Sequence, residues 1–118
     1  MARIDKTQSA IAVTRALANA DFAQGDFDKL VPVGINATGK VVKGAGQTGV
    51  IGIAIPGRTA YKAGSVVDIF GNGSEAVECA GLAAGTKYYS DAAGAISTTN
   101  TGTYIGFTVE ADRLVIVI

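Results

Sequence analysis

The feature that most restricts what this chain can become is the punctuation of residues 81–118, where short apolar runs alternate with turn residues. The runs are Lys87 to Tyr89, Ala95 to Ser97, Tyr104 to Val109 and Leu114 to Ile118. Between them lie Ser90-Asp91-Ala92-Ala93-Gly94, Thr98-Thr99-Asn100-Thr101-Gly102 and Glu110-Ala111-Asp112-Arg113. Strand-length runs separated by gaps of this chemistry predict a β-meander. The last run is apolar at every position, which predicts a strand covered on both faces.

The same pattern begins at Leu30. Leu30 to Ile35, the turn Asn36-Ala37-Thr38-Gly39 and Lys40 to Lys43 read as a hairpin with glycine where a positive φ is needed. Val50 to Ile55 follows, stopped by Pro56-Gly57. Val66 to Phe70 then leads into the tight turn Gly71 to Ser74, from which Ala76 to Ala80 is expected to pair back. Two stretches repeat. Ile35 to Val41 matches Ser90 to Ile96 in pattern at an offset of 55, and Thr48-Gly49-Val50-Ile51-Gly52-Ile53 resembles Thr101 to Phe107 with one residue inserted. Each copy ends in a further strand, Val66 to Phe70 or Leu114 to Ile118. The expected fold is mainly β: a small single-domain barrel or sandwich built from two similar meanders, a closure that also removes exposed sheet edges.

Composition agrees. Val and Ile number 23 against four Leu, and β-branched side chains suit a pleated sheet. With 20 Ala and 16 Gly among 118 residues the core is thin, so a subunit interface would supply useful burial. Ten basic and ten acidic residues balance to zero, leaving no cationic excess for nucleic acid. There is no Trp and no apolar run of membrane-spanning length, and Arg15 interrupts the one signal-like stretch, Ala10 to Ala20. A soluble chain made in the cytoplasm, with no membrane partner, is expected. Single Cys79 precludes an internal disulfide.

Residues 1–30 differ from the β domain at 31–118. Ser9 is placed to cap a short helix with Ala10, Val13, Leu17 and Ala20 on one face, and an extended arm ordered by a partner is the alternative.

Candidate chemistry is sparse. With no His in the chain, imidazole-based nucleophile arrangements and metal sites are excluded. Gly44-Ala45-Gly46-Gln47-Thr48-Gly49 has dinucleotide-motif spacing, but a strand rather than a helix follows, so a loop is expected. Asp21, Asp26 and Asp28 lack a calcium-loop pattern and read as a solvated loop. Glu75 and Glu78 fall on opposite faces of a strand, a poor acid/base pair. Cys79 reads as a buried small hydrophobe, and of Tyr88 and Tyr89 one should point inward and one outward. No enzyme activity, cofactor or metal is expected.

Gly81-Leu82-Ala83-Ala84-Gly85-Thr86-Lys87-Tyr88-Tyr89-Ser90-Asp91-Ala92-Ala93-Gly94-Ala95-Ile96-Ser97-Thr98-Thr99, followed by Tyr104-Ile105-Gly106-Phe107 and a terminal β-run, resembles the small head decoration proteins of tailed bacteriophages, also called capsid cement proteins. Val33 to Gly44 and Ala63 to Ile69 are similar too, so the resemblance spans residues 31–118. It implies a non-catalytic virion protein on the capsid exterior, bound to the major capsid protein as a homotrimer and stabilising the shell. A tail or fibre-attachment module is the alternative. Such proteins often touch the shell through their N-terminal segment. By analogy, Arg3, Lys6 and Arg15 are expected to pair with capsid carboxylates while Ile4, Ile11, Val13 and Leu17 bury against the shell. On that reading residues 2–20 are dispensable for folding.

Overall fold

The computed structural model describes residues 2–5, 12–59 and 61–118. Among the described residues there are eleven strands: β1 (Arg3–Ile4), β2 (Ala12–Leu17), β3 (Val31–Ile35), β4 (Val41–Lys43), β5 (Gly52–Ala54), β6 (Val66–Phe70), β7 (Glu75–Val77), β8 (Lys87–Ser90), β9 (Ile96–Ser97), β10 (Thr103–Thr108) and β11 (Leu114–Ile116). The described helical content is one 3-10 turn, Gln24–Asp26. The strands form two antiparallel sheets, one in the order β2-β6-β5-β3-β4 and the other in the order β1-β7-β11-β10-β8-β9. The sandwich alternative therefore holds, and the barrel alternative does not: the sheets stay open, because each ends on strands that do not pair with the other.

The repeat seen in the sequence is a repeat of topology. The order β4-β3-β5-β6 in the first sheet recurs as β9-β8-β10-β11 in the second. The two hairpin turns use the same bonds. Asn36 Oδ1 accepts from the backbone N–H groups of Thr38 and Lys40, at 3.0 and 2.9 Å. Asp91 Oδ1 accepts from Ala93 and Ala95, both at 2.9 Å. Gly39 and Gly94 supply the positive φ that each turn requires, 81° and 89°. The inserted residue of the second copy is a β-bulge: Tyr104 pairs with Tyr89 and Gly106 with Tyr88, leaving Ile105 as the extra residue.

Strand alternation splits the apolar residues into two cores. Ile53 and Val50 of the first sheet meet Tyr88, Ile105, Leu114 and Ile116 of the second between the sheets. On the opposite face of the first sheet, Val31, Val33, Ala54, Val67 and Ile69 are covered by Ala18 and Phe22, with Phe27 and Tyr61 packed alongside. Ile53, Ile69, Ile105, Leu114 and Ile116 are completely buried, each contributing about 1.5–3 kcal/mol of transfer free energy.

Three local expectations are corrected. Ala12–Leu17 is a strand paired with β6, not part of a short helix: its alanines give little helical amphipathicity, and cross-strand pairing to Val66–Phe70 decides the outcome. The segment after Ser74 does not pair back on β6. The chain switches sheets there, and β7 bonds to β11 and β1. The terminal run is buried on one face, through Leu114 and Ile116, while Val115, Val117 and Ile118 are half-buried. Strands β1 and β2 thus carry the described parts of residues 1–30 into both sheets of the domain.

Candidate interaction surfaces

Strand β2 ends the first sheet and is solvent-exposed at every position but one. Thr14 and Ala16 stand opposite the inward-facing Ile69 and Val67. Arg15 and Leu17 consequently turn to the other face, opposite Asp68 and Val66. A bulge near Ala12 and Thr14 breaks the pairing beside Val13. On the Arg15 face Leu17 and Val66 are 45% and 53% exposed, whereas Val13, 50% exposed, is displaced by the bulge and lies against Gly71. Arg15 Nε donates to Asp68 Oδ1 at 2.6 Å, with the side chains 69% and 43% exposed.

Of the seven residues the sequence nominates, Arg15 and Leu17 are thus brought onto one face, while Val13 sits at the bulge against Gly71. Arg3 and Ile4 lie on β1, at the edge of the other sheet. Arg3 pairs with Glu78, and Ile4 is buried in the inter-sheet core opposite Ala76. Both line a 570 Å³ groove whose other side includes Val66, Asp68 and Phe70. Lys6 and Ile11 lie outside the described residues. The sequence reading left Val66 and Asp68 off the Arg15 face. A signal existed: Val66-Val67 places two valines on opposite faces of one strand, and Asp68 is a charge inside an otherwise apolar run.

The other sequence candidates resolve into structural roles. Tyr88 is buried and its hydroxyl accepts from the Ala83 N–H at 2.7 Å, while Tyr89 faces outward with its ring 5.5 Å from that of Tyr104. The glycine motif is the β4–β5 loop, where Thr48 Oγ1 accepts from the Ile35 N–H at 3.0 Å. The three aspartates are tethered rather than free: Asp21 caps the Ala63 N–H at 2.8 Å, Asp26 pairs with Lys43 at 3.0 Å and Asp28 with Arg58 at 3.5 Å. Glu75 pairs with Arg113 at 3.5 Å. Arg113 also holds Glu110 at 2.7 Å, and that hydrogen bond lowers the Glu110 carboxyl below its ordinary value. Cys79 lines a second cavity of 660 Å³ with Leu30, Leu82 and Ile96, and burial pushes its thiol up. Among the described residues, no three His, Cys, Asp or Glu side chains are grouped to hold a metal.

These features define an antiparallel two-sheet β domain. No protein-family profile and no curated protein matches the chain. Among solved structures, one from Mycobacterium phage Patience has the same fold, with a TM-score of 0.84 over 98% of this chain and 95% of that chain. The two are 19% identical, so the likeness establishes the fold.

Proposed function

We propose that this chain is a structural component of a tailed-phage particle that binds the outer surface of the assembled capsid and stabilises it, without catalysing a reaction. The observation that carries the reading is the shared fold with the structure from Mycobacterium phage Patience, which extends over nearly the whole of both chains. A small separate domain of this kind suits a part added to a larger particle. The residue pattern at 81–99 and 104–107 is similar to that of capsid cement proteins, which favours a head decoration protein as the particle part. Its partner would be the major capsid protein. A protein that binds the intact shell more tightly than the opened one stabilises the shell by mass action.

Capsids lacking this chain, mixed with the purified protein and pelleted, provide the test. The chain is expected to pellet with the capsids and to raise the temperature at which they open. Recovery with isolated tails instead, or retention in the supernatant with capsids unchanged, would overturn the reading.

A further inference from the structure

We propose that the cavity between residues 27–30 and residues 78–82 is a binding site for a small amphipathic anion, an apolar chain ended by a carboxylate or a phosphate. The apolar part lies along the cavity wall and the charged end stays at the rim. This stands independently of the capsid reading.

The cavity, 660 Å³ in volume, lies where the two halves of the chain face each other: residues 27–30 and Arg58 line one side, and residues 78–82, Tyr88 and Ile96 the other. Small-molecule sites have volumes of about 300–1,000 Å³. The wall is apolar. Leu30, Leu82 and Ile96 pack against the inter-sheet core yet are half-buried, and the surface they leave free includes the cavity wall. The rim has an uncommon backbone. Among the described residues eleven glycines have positive φ and only two other residues do, Asp28 at 60° and Glu78 at 57°. Both line this cavity, from opposite halves of the chain. A side chain is costly in that conformation, and residues that keep one there cluster at ligand-binding positions. Neither is loose. The Asp28 N–H donates to the Pro56 carbonyl, and the N–H of Cys79, next to Glu78, donates to the Asp112 carbonyl, both at 2.9 Å. The rim is therefore shaped before a ligand arrives.

Charge sets the sign of the ligand. Lys29, Arg58 and, beside Glu78, Arg3 stand against the carboxylates of Asp28 and Glu78, so three cations meet two anions. Glu78 is taken by Arg3 and Asp28 by Arg58, while Lys29 makes no ion pair with another described residue. The Arg58–Asp28 contact is long, 3.5 Å, and the Arg58 side chain is 78% exposed. Such a pair is weak and leaves the guanidinium able to take a second anion. A carboxylate or phosphate held by Lys29 and Arg58 balances the rim through charge-assisted hydrogen bonds. A cationic head would repeat the charge already in excess, and a neutral head would leave that charge unmatched. Beyond its head the ligand must be apolar, because polar groups set against Leu30, Leu82 and Ile96 would lose water without gaining partners.

The test follows the amide NMR spectrum of the full chain as decanoate, decanol or decyltrimethylammonium is added below its micelle concentration. Decanoate is expected to bind one-to-one, with shifts concentrated in residues 27–30 and 78–82. Decanol should bind at least about tenfold more weakly, and the cationic probe not measurably. Arg58→Gln should weaken decanoate binding about tenfold and leave decanol binding unchanged. Leu82→Trp, which fills the cavity, should weaken both; if that variant fails to fold by circular dichroism, the exposed Arg58→Gln change decides alone. No saturable shift with decanoate, equal binding of the three probes, shifts centred on another surface, or an Arg58→Gln chain that binds decanoate like wild type would each overturn the proposal. So would occupation of the cavity by Met1, which lies outside the described residues, read as contacts from its methyl group to Leu82 and Ile96 in the free protein.

Discussion

The two halves of this molecule are built to one plan and finished differently. In both, a hairpin closed by an Asn or Asp side-chain oxygen and a positive-φ glycine is followed by two further antiparallel strands, giving β4-β3-β5-β6 and β9-β8-β10-β11. What differs is the flank of the fourth strand. Beside β11 the chain adds β7 and then β1, burying Ala76 and Ile4. Beside β6 it adds β2 alone, which leaves Val13 and Leu17 in water. The repeated unit sets the fold, while the added edge decides how much of each half's apolar surface is buried.

The sharpest way to break the comparison is to fill the glycines that let the third and fourth strands approach. A Cβ on Gly106 would lie 2.0 Å from the Val115 carbonyl oxygen, and one on Gly52 would lie 2.6 Å from that of Phe70. Gly106 also holds φ at 151°, where an L side chain is strained. Gly106→Ala is expected to cost about 2–4 kcal/mol and Gly52→Ala somewhat less, measured by urea unfolding.

Next come the two added edges. Ile4→Ala empties a core position and should cost about 2–4 kcal/mol, whereas Leu17→Ala in the monomer should cost less than about 1 kcal/mol. Deleting residues 2–20 should therefore lower the thermal midpoint markedly, contrary to what an independent arm would do.

The equivalence of the two turns predicts a smaller, matched effect. Asn36→Ala and Asp91→Ala each remove an acceptor for two backbone N–H groups, and each should cost about 1 kcal/mol. Unequal losses would mean that the turns are alike only in outline.

Smallest is the Glu110–Arg113 pair on the β10–β11 turn. The lowered Glu110 carboxyl contributes stability above the ordinary carboxylate range and loses it as pH falls through the folded-state value. Glu110 is exposed and Arg113 half-buried, so the pair is largely screened by water and Glu110→Gln should melt slightly below wild type at neutral pH and match it in acid.

Much of the fold was legible in the sequence because the turns carry their own chemistry. Asn36 to Gly39 and Asp91 to Gly94 announce the hairpins without reference to the rest of the chain, and the one-residue insertion announces the bulge at Ile105. Choice of sheet was not legible. Apolar alternation in Glu75–Val77 says that a strand forms but not that it leaves β6 for β11, since that depends on contacts some forty residues away. Strand β2 was missed for the same reason: Ala12–Leu17 has weak local preference, and its conformation comes from pairing with β6. The candidate surface was half legible. Val13, Arg15 and Leu17 alternate in the sequence, but the bulge sends Val13 towards Gly71, and only the register of β2 on β6 joins Arg15 and Leu17 to Val66 and Asp68.

Image reconstruction of virions from a source that encodes the chain would show whether this domain is fixed to the outside of a phage capsid. Density that fits this two-sheet domain is expected on the outer shell surface and absent from particles made without the chain. Density for the domain confined to the tail, or none on particles that demonstrably contain the chain's gene, would contradict that placement.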